Sequence, residues 1–491
     1  MKLASSIARG ANQRLHGDAP RGARMPSLRR LAIHTAFACA SIASTSAVHA
    51  QSSDATPEAP EADLKIQAQP TNQWTGLWTR QNLLGDIGGL RPWLNRYGIS
   101  FGLQETSEYL YNTRGGLGTG GAYDGLTTMS LQVDTQKAIG LPGGTFNVSA
   151  LQIHGTNLST RYLGTLNTAS GIEADDTTRL WELWYQQAFL DNKVDVKVGQ
   201  QSLDQEFMVS SYAGTFVNTM FGWAGLPSFD MPSGGPAYPL SSLGVRVRAQ
   251  ITPSVTTLFG VFDGNPAPGD NPDPQKNNAS GTNFNLHNGA LYIGEVQYAI
   301  NQPGQGAMEM PGDSKSSSGG LPGTYRLGVW YNNQTFADQL QDGSTHRGDY
   351  SFYAVADQMV WRPDPDEPRS IGVFARVMGA PGDRNEVSVS ANAGVVMKAP
   401  FKGRDNDTVG IGLAYIKVGN HATAFDVNNG FVPRSSETAV EATYQYQVTP
   451  WWQLQADAQY TFNAGAGQNP NNQTQALRNT FVIGMRTNIT F

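Results

Sequence analysis

Several stretches hold residue types that do chemistry elsewhere, and each fails on spacing or context. "GISFG" (98–102) has the Gly-x-Ser-x-Gly pattern of a hydrolase nucleophile. That chemistry needs a strand turning sharply into a helix, whereas here the residues beyond Gly102 continue an alternating pattern. "DNDTVG" (405–410) begins like a calcium loop, but Val409 stands where an oxygen ligand belongs and Ile416 where the closing glutamate belongs. After residue 50 the histidines are His154, His287, His346 and His421, too scattered for the ligand spacings of a zinc site. Carboxylates are plentiful, yet paired-carboxylate catalysis needs a fixed separation that no spacing here sets. The chain is therefore read as a non-enzyme that calls for no cofactor and no metal.

Charge and composition narrow the class further. No run of 18 apolar residues occurs in the 491, so a spanning helix is not expected. Only 39% of residues are hydrophobic while glycine numbers 55, which suits strands in which every second residue is apolar. Arg29 and Arg30 precede an apolar stretch of small residues ending in Val48-His49-Ala50, the form of an export signal over 1–50 that contains the only cysteine, Cys39. Removing it takes away seven basic residues and one acidic one, leaving 27 Lys and Arg against 39 Asp and Glu, net −12. Such a balance argues against nucleic acid as a partner. Residues 51–70, rich in Pro, Ala, Ser and acid, read as a disordered linker, and 71–97 as a periplasmic segment with a short helix.

From about residue 98 to residue 491 one theme repeats: roughly ten residues of alternation, then a break rich in Gly, Asn, Pro or Asp. The last instance is "NTFVIGMRTNITF" (479–491), in which Phe481, Ile483, Met485, Ile489 and Phe491 share one parity. Counting such stretches predicts sixteen strands, near 98–111, 126–134, 145–155, 180–189, 194–202, 242–251, 255–262 and 290–300, then 324–332, 350–361, 371–378, 386–397, 408–418, 437–448, 452–462 and 479–491. Short connections ("LDNK", "TPS", "TPW") alternate with long ones (203–241, 263–289, 419–436, 463–478). That is the signature of an all-β transmembrane antiparallel barrel in a bacterial outer membrane, with short periplasmic turns and long extracellular loops. One connection, 301–324, is long on the side where short turns belong.

Energy sorts the two faces. An arginine on the lipid face near the midplane costs about 2–4 kcal/mol, so Arg246 and Arg248 must face the lumen and Val245, Val247 and Ile251 the lipid. The same parity places Leu180, Glu182, Trp184 and Gln186 inside, with Trp181, Leu183, Tyr185 and Phe189 outside. Tyr109, Tyr111, Trp361 and Trp451 suit aromatic girdles. The terminal Phe491 suits recognition by the barrel-assembly machinery.

Several long stretches resemble one family, the carbohydrate-selective outer-membrane porins of the OprB type. "LLGDIGGLRPWLNRYGISF" (83–101), "LWELWYQQAFLDNKVDVKVGQQSLDQEF" (180–207), "FVNTMFG" (216–222), "YAVADQMVWRP" (353–363), "GRDNDTVGIGLAY" (403–415) and "ETAVEATYQYQVTPWWQLQADAQY" (437–460) follow in the family's order. Two details depart from its pattern: Ile87 stands where a tryptophan is common, and "DAQYTFN" lacks the prolines usual around its Gln-Tyr pair. The resemblance implies passive diffusion of sugars, usually monosaccharides such as glucose, through a constricted lumen. A sugar presents hydroxyls and apolar C–H faces, so its passage calls for charged or amide groups and aromatic surfaces. On lumen parity these are Glu182, Trp184, Gln186, Arg246, Arg248, Glu295, Arg326 and Trp330, with Gln297, Arg376 and Glu441 further round. Trp184 and Trp330 should stand at the narrowest ring if sugars are selected; for Trp184 the alternative is packing beneath an inward-folded loop, which 203–241 is long enough to supply. A general diffusion pore for small polar solutes is the nearer competitor and an enzyme on a barrel scaffold the farther one. Assembly of several copies is compatible with either.

Overall fold

The computed structural model describes residues 76–302, 320–365 and 367–491; the expected signal and linker over 1–70 lie outside them. The first half of the wall is β1 (Ile99–Arg114), β2 (Gly120–Asp134), β3 (Gly144–Gly155), β4 (Thr177–Phe189), β5 (Val194–Gln201), β6 (Ser242–Thr252), β7 (Val255–Asp263) and β8 (Ala290–Ile300). The second is β9 (Gly323–Ala337), β10 (Thr345–Trp361), β11 (Ser370–Gly379), β12 (Val387–Lys398), β13 (Thr408–Val418), β14 (Ser436–Thr449), β15 (Trp452–Phe462) and β16 (Thr480–Thr490). Each pairs antiparallel with its sequence neighbours, and β16 pairs with both β15 and β1, closing a sixteen-stranded barrel.

All sixteen expected strands are present in order, but several run further. β2 begins at Gly120 and β9 and β10 reach Ala337 and Thr345. These extensions ("GGAYDG", "NNQTFA", "THRGD") rise beyond the apolar belt, where both faces meet polar surroundings and the alternation fades. Ile300 pairs with Gly323, so β8 and β9 are neighbours despite the long connection between them, whose residues 303–319 lie outside those described.

A short helix, α1 (Leu90–Arg96), sits where the chain enters and leaves the barrel. Arg91 donates to the carbonyls of Phe101 (2.9 Å) and Phe491. Leu83 N–H donates to Thr490 O at 2.8 Å. Trp451 donates to Leu77 O at 2.7 Å and stacks on Trp452, so it is buried, unlike the outward Tyr109, Tyr111 and Trp361.

The largest apolar core lies inside the barrel. The β5–β6 connection (202–241) folds inward, packing Phe207, Met208, Phe216, Met220 and Phe221 against Trp330, Phe374 and Ile416 of the wall. Inward polar side chains hold its backbone. Glu441 accepts from Val217 N (2.6 Å) and Asn218 N (2.9 Å), and Glu295 from Met208 N (2.8 Å). Asp357 accepts from Ser210 Oγ (2.5 Å) and Ser211 N (3.1 Å). Arg376 donates to the carbonyls of Met208, Gly222 and Met220. Glu437 does the same for the β3–β4 connection, accepting from Leu166 N (2.9 Å) and Asn167 N (3.0 Å).

Each carbonyl left unpaired in the core costs about 1–3 kcal/mol. Arg376→Met is thus expected to free the segment around 208–222 while the barrel stays closed. Single-channel conductance should rise and protease cleavage should appear there; unchanged conductance would show that apolar packing alone holds the loop.

Candidate functional site

One group of inward polar side chains lies on β4, β5 and β6. On β4 the alternation is broken by a bulge: Val148 pairs with Leu183 but Ala150 with Leu180, so Trp181 and Glu182 together oppose Ser149. Below the bulge Trp184 and Gln186 point inward as expected. Above it the parity inverts, correcting the strict reading. Trp181 joins the interior cluster of Leu151, Ile153 and Tyr238, and Arg179 replaces Leu180 as the inward residue. Arg179 is buried and donates to the carbonyls of Pro239 (3.1 Å), Gln275 (3.1 Å) and Asn278 (2.8 Å). Glu182 stays inside and accepts from Ser202 N at 3.1 Å.

Pairing aligns Lys197 with Arg246 and Asp195 with Arg248 across β5 and β6. Asp195 accepts from Arg246 and, at 2.6 Å, from Arg248. Glu206, just beyond β5, is held by Lys197 and by Arg246 (3.0 Å), which also donates to Gln186 (3.1 Å). The Lys197 ammonium lies 4.4 Å from the Trp184 ring centre, a cation–π contact. Burial pushes the Glu206 carboxyl up, but Lys197 and Arg246 outweigh it and hold the group at about 2. The result is a strip of interleaved charges in which Arg248 and Glu206 remain 32% and 21% exposed.

Elsewhere Arg326 donates to Asp357 at 3.0 Å, with Glu295 beside it at 4.0 Å. Glu295 itself is buried, anchoring Met208 and accepting from Tyr353 OH (2.9 Å). The two lumenal tryptophans do not present their rings to the passage. Trp330 is 1% exposed beneath the inward loop, and Trp184 is 6% exposed behind Lys197. Across the barrel Arg486 donates to Glu108 (2.8 Å) and to Ser170 Oγ (3.0 Å).

Sequence reasoning missed Lys197, Asp195, Glu206 and Arg486 as members of this set. Three share the inward parity of their strands, the signal that could have found them. Glu206 lies in a loop, where no periodicity speaks. The fold also brings His346 and His421 to one carboxylate, each 2.8 Å from Asp338 at the loop end, though no cluster suited to a metal ion is found among the described residues. Asp407 of the "DNDTVG" stretch is taken by Arg404 (2.7 Å), and Ser100 of "GISFG" lies in continuous β1.

A sequence model described as "Carbohydrate-selective porin, OprB family" matches residues 118–491. The chain belongs to this family. It is 26% identical to Porin B of Pseudomonas aeruginosa over 465 residues, covering 86% of this chain and 92% of that protein. It is also 26% identical to the putative porin QuiX of Acinetobacter baylyi over 408 residues, covering 78% and 88%. In fold it is similar to the high-pH structure of Pseudomonas putida OprB, with a TM-score of 0.71 at 22% identity over 84% of this chain and 99% of that one. The barrel is thus a carbohydrate-selective porin of the Gram-negative outer membrane, and its lumen is the route of the solute.

In this porin the β3–β4 connection carries a half-buried acid. Glu173 accepts from Ser159 N (3.0 Å) and Ser159 Oγ (2.8 Å); burial and then the charge of Asp124 push it up to about 8. A raised carboxyl stabilises the folded loop fully below its unfolded pKa near 4.5, and this contribution fades as pH rises through about 8. Raising pH from 7 to 9 should therefore increase open-channel current noise, and Glu173→Gln should abolish that increase. Noise that climbs equally in the variant would exclude Glu173 as its source.

Proposed function

We propose that this porin passes monosaccharides such as glucose by diffusion, exchanging their hydration for hydrogen bonds along the charged strip. The observation that carries the reading is the chain Lys197–Glu206–Arg246–Asp195–Arg248, with Glu182 and Gln186 beside it. Its acceptors and donors alternate along the wall, as hydroxyls do around a sugar ring. Glu206, Gln186 and Arg248 are the groups that touch solute. Arg246 and Lys197 fix Glu206, and Trp184 supports Lys197 from behind rather than stacking on the sugar. Arg326, three strands further round the wall on β9, supplies another cation, while Glu295 and Trp330 act through the loop that they hold.

The protein works as a channel and not as an enzyme, needs no cofactor, and has sugar and outer-membrane lipid as its partners. Residues 1–50 serve export, 51–70 a linker and 71–97 a periplasmic segment; Phe491 serves recognition during barrel assembly.

The test is single-channel conductance in planar bilayers with glucose titrated in. Glucose is expected to block ion current, and Arg248→Ala or Glu206→Gln to weaken the block about ten-fold, the loss of on the order of 1.4 kcal/mol. Trp184→Ala should weaken it less, because it only loosens Lys197. Channels that open but ignore every sugar would make this a general diffusion pore for small polar solutes.

A further inference from the structure

Outside the lumen, a charge asymmetry lies at the extracellular end of the seam between β16 and β1. After residue 50 the chain carries a net charge of −12. Yet residues 113–123, 156–170 and 463–479 hold three arginines, Arg114, Arg161 and Arg478, and neither acid nor lysine. All three arginines are exposed. Of the carboxylates around them, Glu108, Asp124 and Glu437 are buried on the inward side. Glu173, Asp175 and Asp176 follow only at the far end of the β3–β4 connection.

Backbone hydrogen bonds tie the three stretches together. Gly116 N–H donates to Arg478 O (3.1 Å), and the N–H groups of Leu117 and Gly118 donate to Tyr162 O (2.8 and 3.1 Å). Gly116 has a φ of 62°, and a β-carbon there would strike the carbonyls of Tyr162 and Leu163, so only glycine allows this approach. Arg114, paired with Phe481 of β16, reaches across that strand and donates to the Tyr460 hydroxyl of β15 at 2.8 Å. Asn479 Nδ2 donates to the same hydroxyl at 3.2 Å. Gln459 is held inside, so Tyr460 takes the outward parity and Arg114 lies on the outer rim.

Among the described residues, none of these three arginines has an ion-pair partner. Lys276, Arg384 and Arg434 of the other outside loops are each paired with an aspartate or glutamate. The unpaired cations stand above an apolar surface: Tyr109, Tyr111, Phe462 and Ile483 of β1, β15 and β16 are exposed on the lipid side. An amphiphile with anionic groups directly above its acyl chains matches both halves at once. The planar guanidinium fork fits phosphate oxygens two at a time, which a lysine ammonium does not. An acidic protein partner would satisfy the arginines but leave the aromatic surface below them to hydrocarbon. A lipid whose headgroup carries phosphate covers both.

We infer that the outer rim of the β16–β1 seam, through Arg114, Arg478 and Arg161, binds the phosphates of a lipid of the outer leaflet.

The test is titration of the detergent-solubilised porin with lipid A carrying two phosphates, read by native mass spectrometry. The wild type should retain the lipid, and Arg114→Gln combined with Arg478→Gln should weaken retention at least about ten-fold. Arg347→Gln removes an exposed cation from β10, away from the seam, and should leave retention unchanged. Single-channel conductance equal to that of the wild type shows that the double variant is folded. A wild type that retains no lipid A, or an equal loss in Arg347→Gln, would overturn the inference. Complete displacement of the lipid by equimolar inorganic phosphate would overturn it too, leaving an anion site that takes no account of acyl chains.

Discussion

In hydrocarbon no water is present to satisfy a peptide group, so a sheet that spans a membrane must leave no edge. Everything in this protein depends on the pairing that removes the last edge. β16 meets β15 on one side and β1 on the other, with Glu108 opposite Arg486 and Tyr111 opposite Ile483. The α1 segment then fastens the junction, since Arg91 grips the carbonyls of both Phe101 and Phe491. Once the sheet is closed, each strand has one face in lipid and one enclosed. Charge is consequently driven inward, where Arg486 and Glu108 sit, and apolar residues are driven out.

Closure creates a second problem, because a sixteen-stranded ring is too wide for its own side chains to fill. The β5–β6 connection fills it from within, and its irregular backbone brings unpaired N–H and C=O groups into a buried setting. Glu441, Glu295, Asp357 and Arg376 answer that need with charge-assisted hydrogen bonds to the loop. These residues are polar for a structural reason. They face the lumen by parity, yet the loop stands between most of them and any solute.

That distinction explains what could be read from the chain and what could not. Strand order and facing were legible because a period of two is local and an arginine in lipid is costly. The bulge at Trp181 and Glu182 was not, since nothing in "RLWELWYQ" marks the extra residue. Arg179 and Trp181 were accordingly assigned to the wrong face or passed over. Nor could parity tell Arg248, which is partly open, from Trp330, which is sealed within the apolar cluster that the inward loop completes. Inward direction follows from a strand alone, whereas access depends on a loop some hundred residues away in sequence. Glu206 belongs to that loop, and so the carboxylate that organises Lys197 and Arg246 lay beyond the reach of periodicity.

The composition of the strip bears on how a channel with a net charge of −12 after residue 50 can favour a neutral solute. Asp195, Glu206 and Glu182 stand among Lys197, Arg246 and Arg248, three of each sign, with the closest pairs in direct contact. Field lines between such partners end on each other within a few ångströms, less than the screening length of about 8 Å at physiological salt. An ion passing the strip meets alternating attraction and repulsion that largely cancel. A hydroxylated solute meets donors and acceptors in turn and can turn its hydroxyls to suit each one. The same ion pairing that makes burial of these charges tolerable therefore also makes the wall locally polar and nearly neutral, the property that the proposed sugar path calls for.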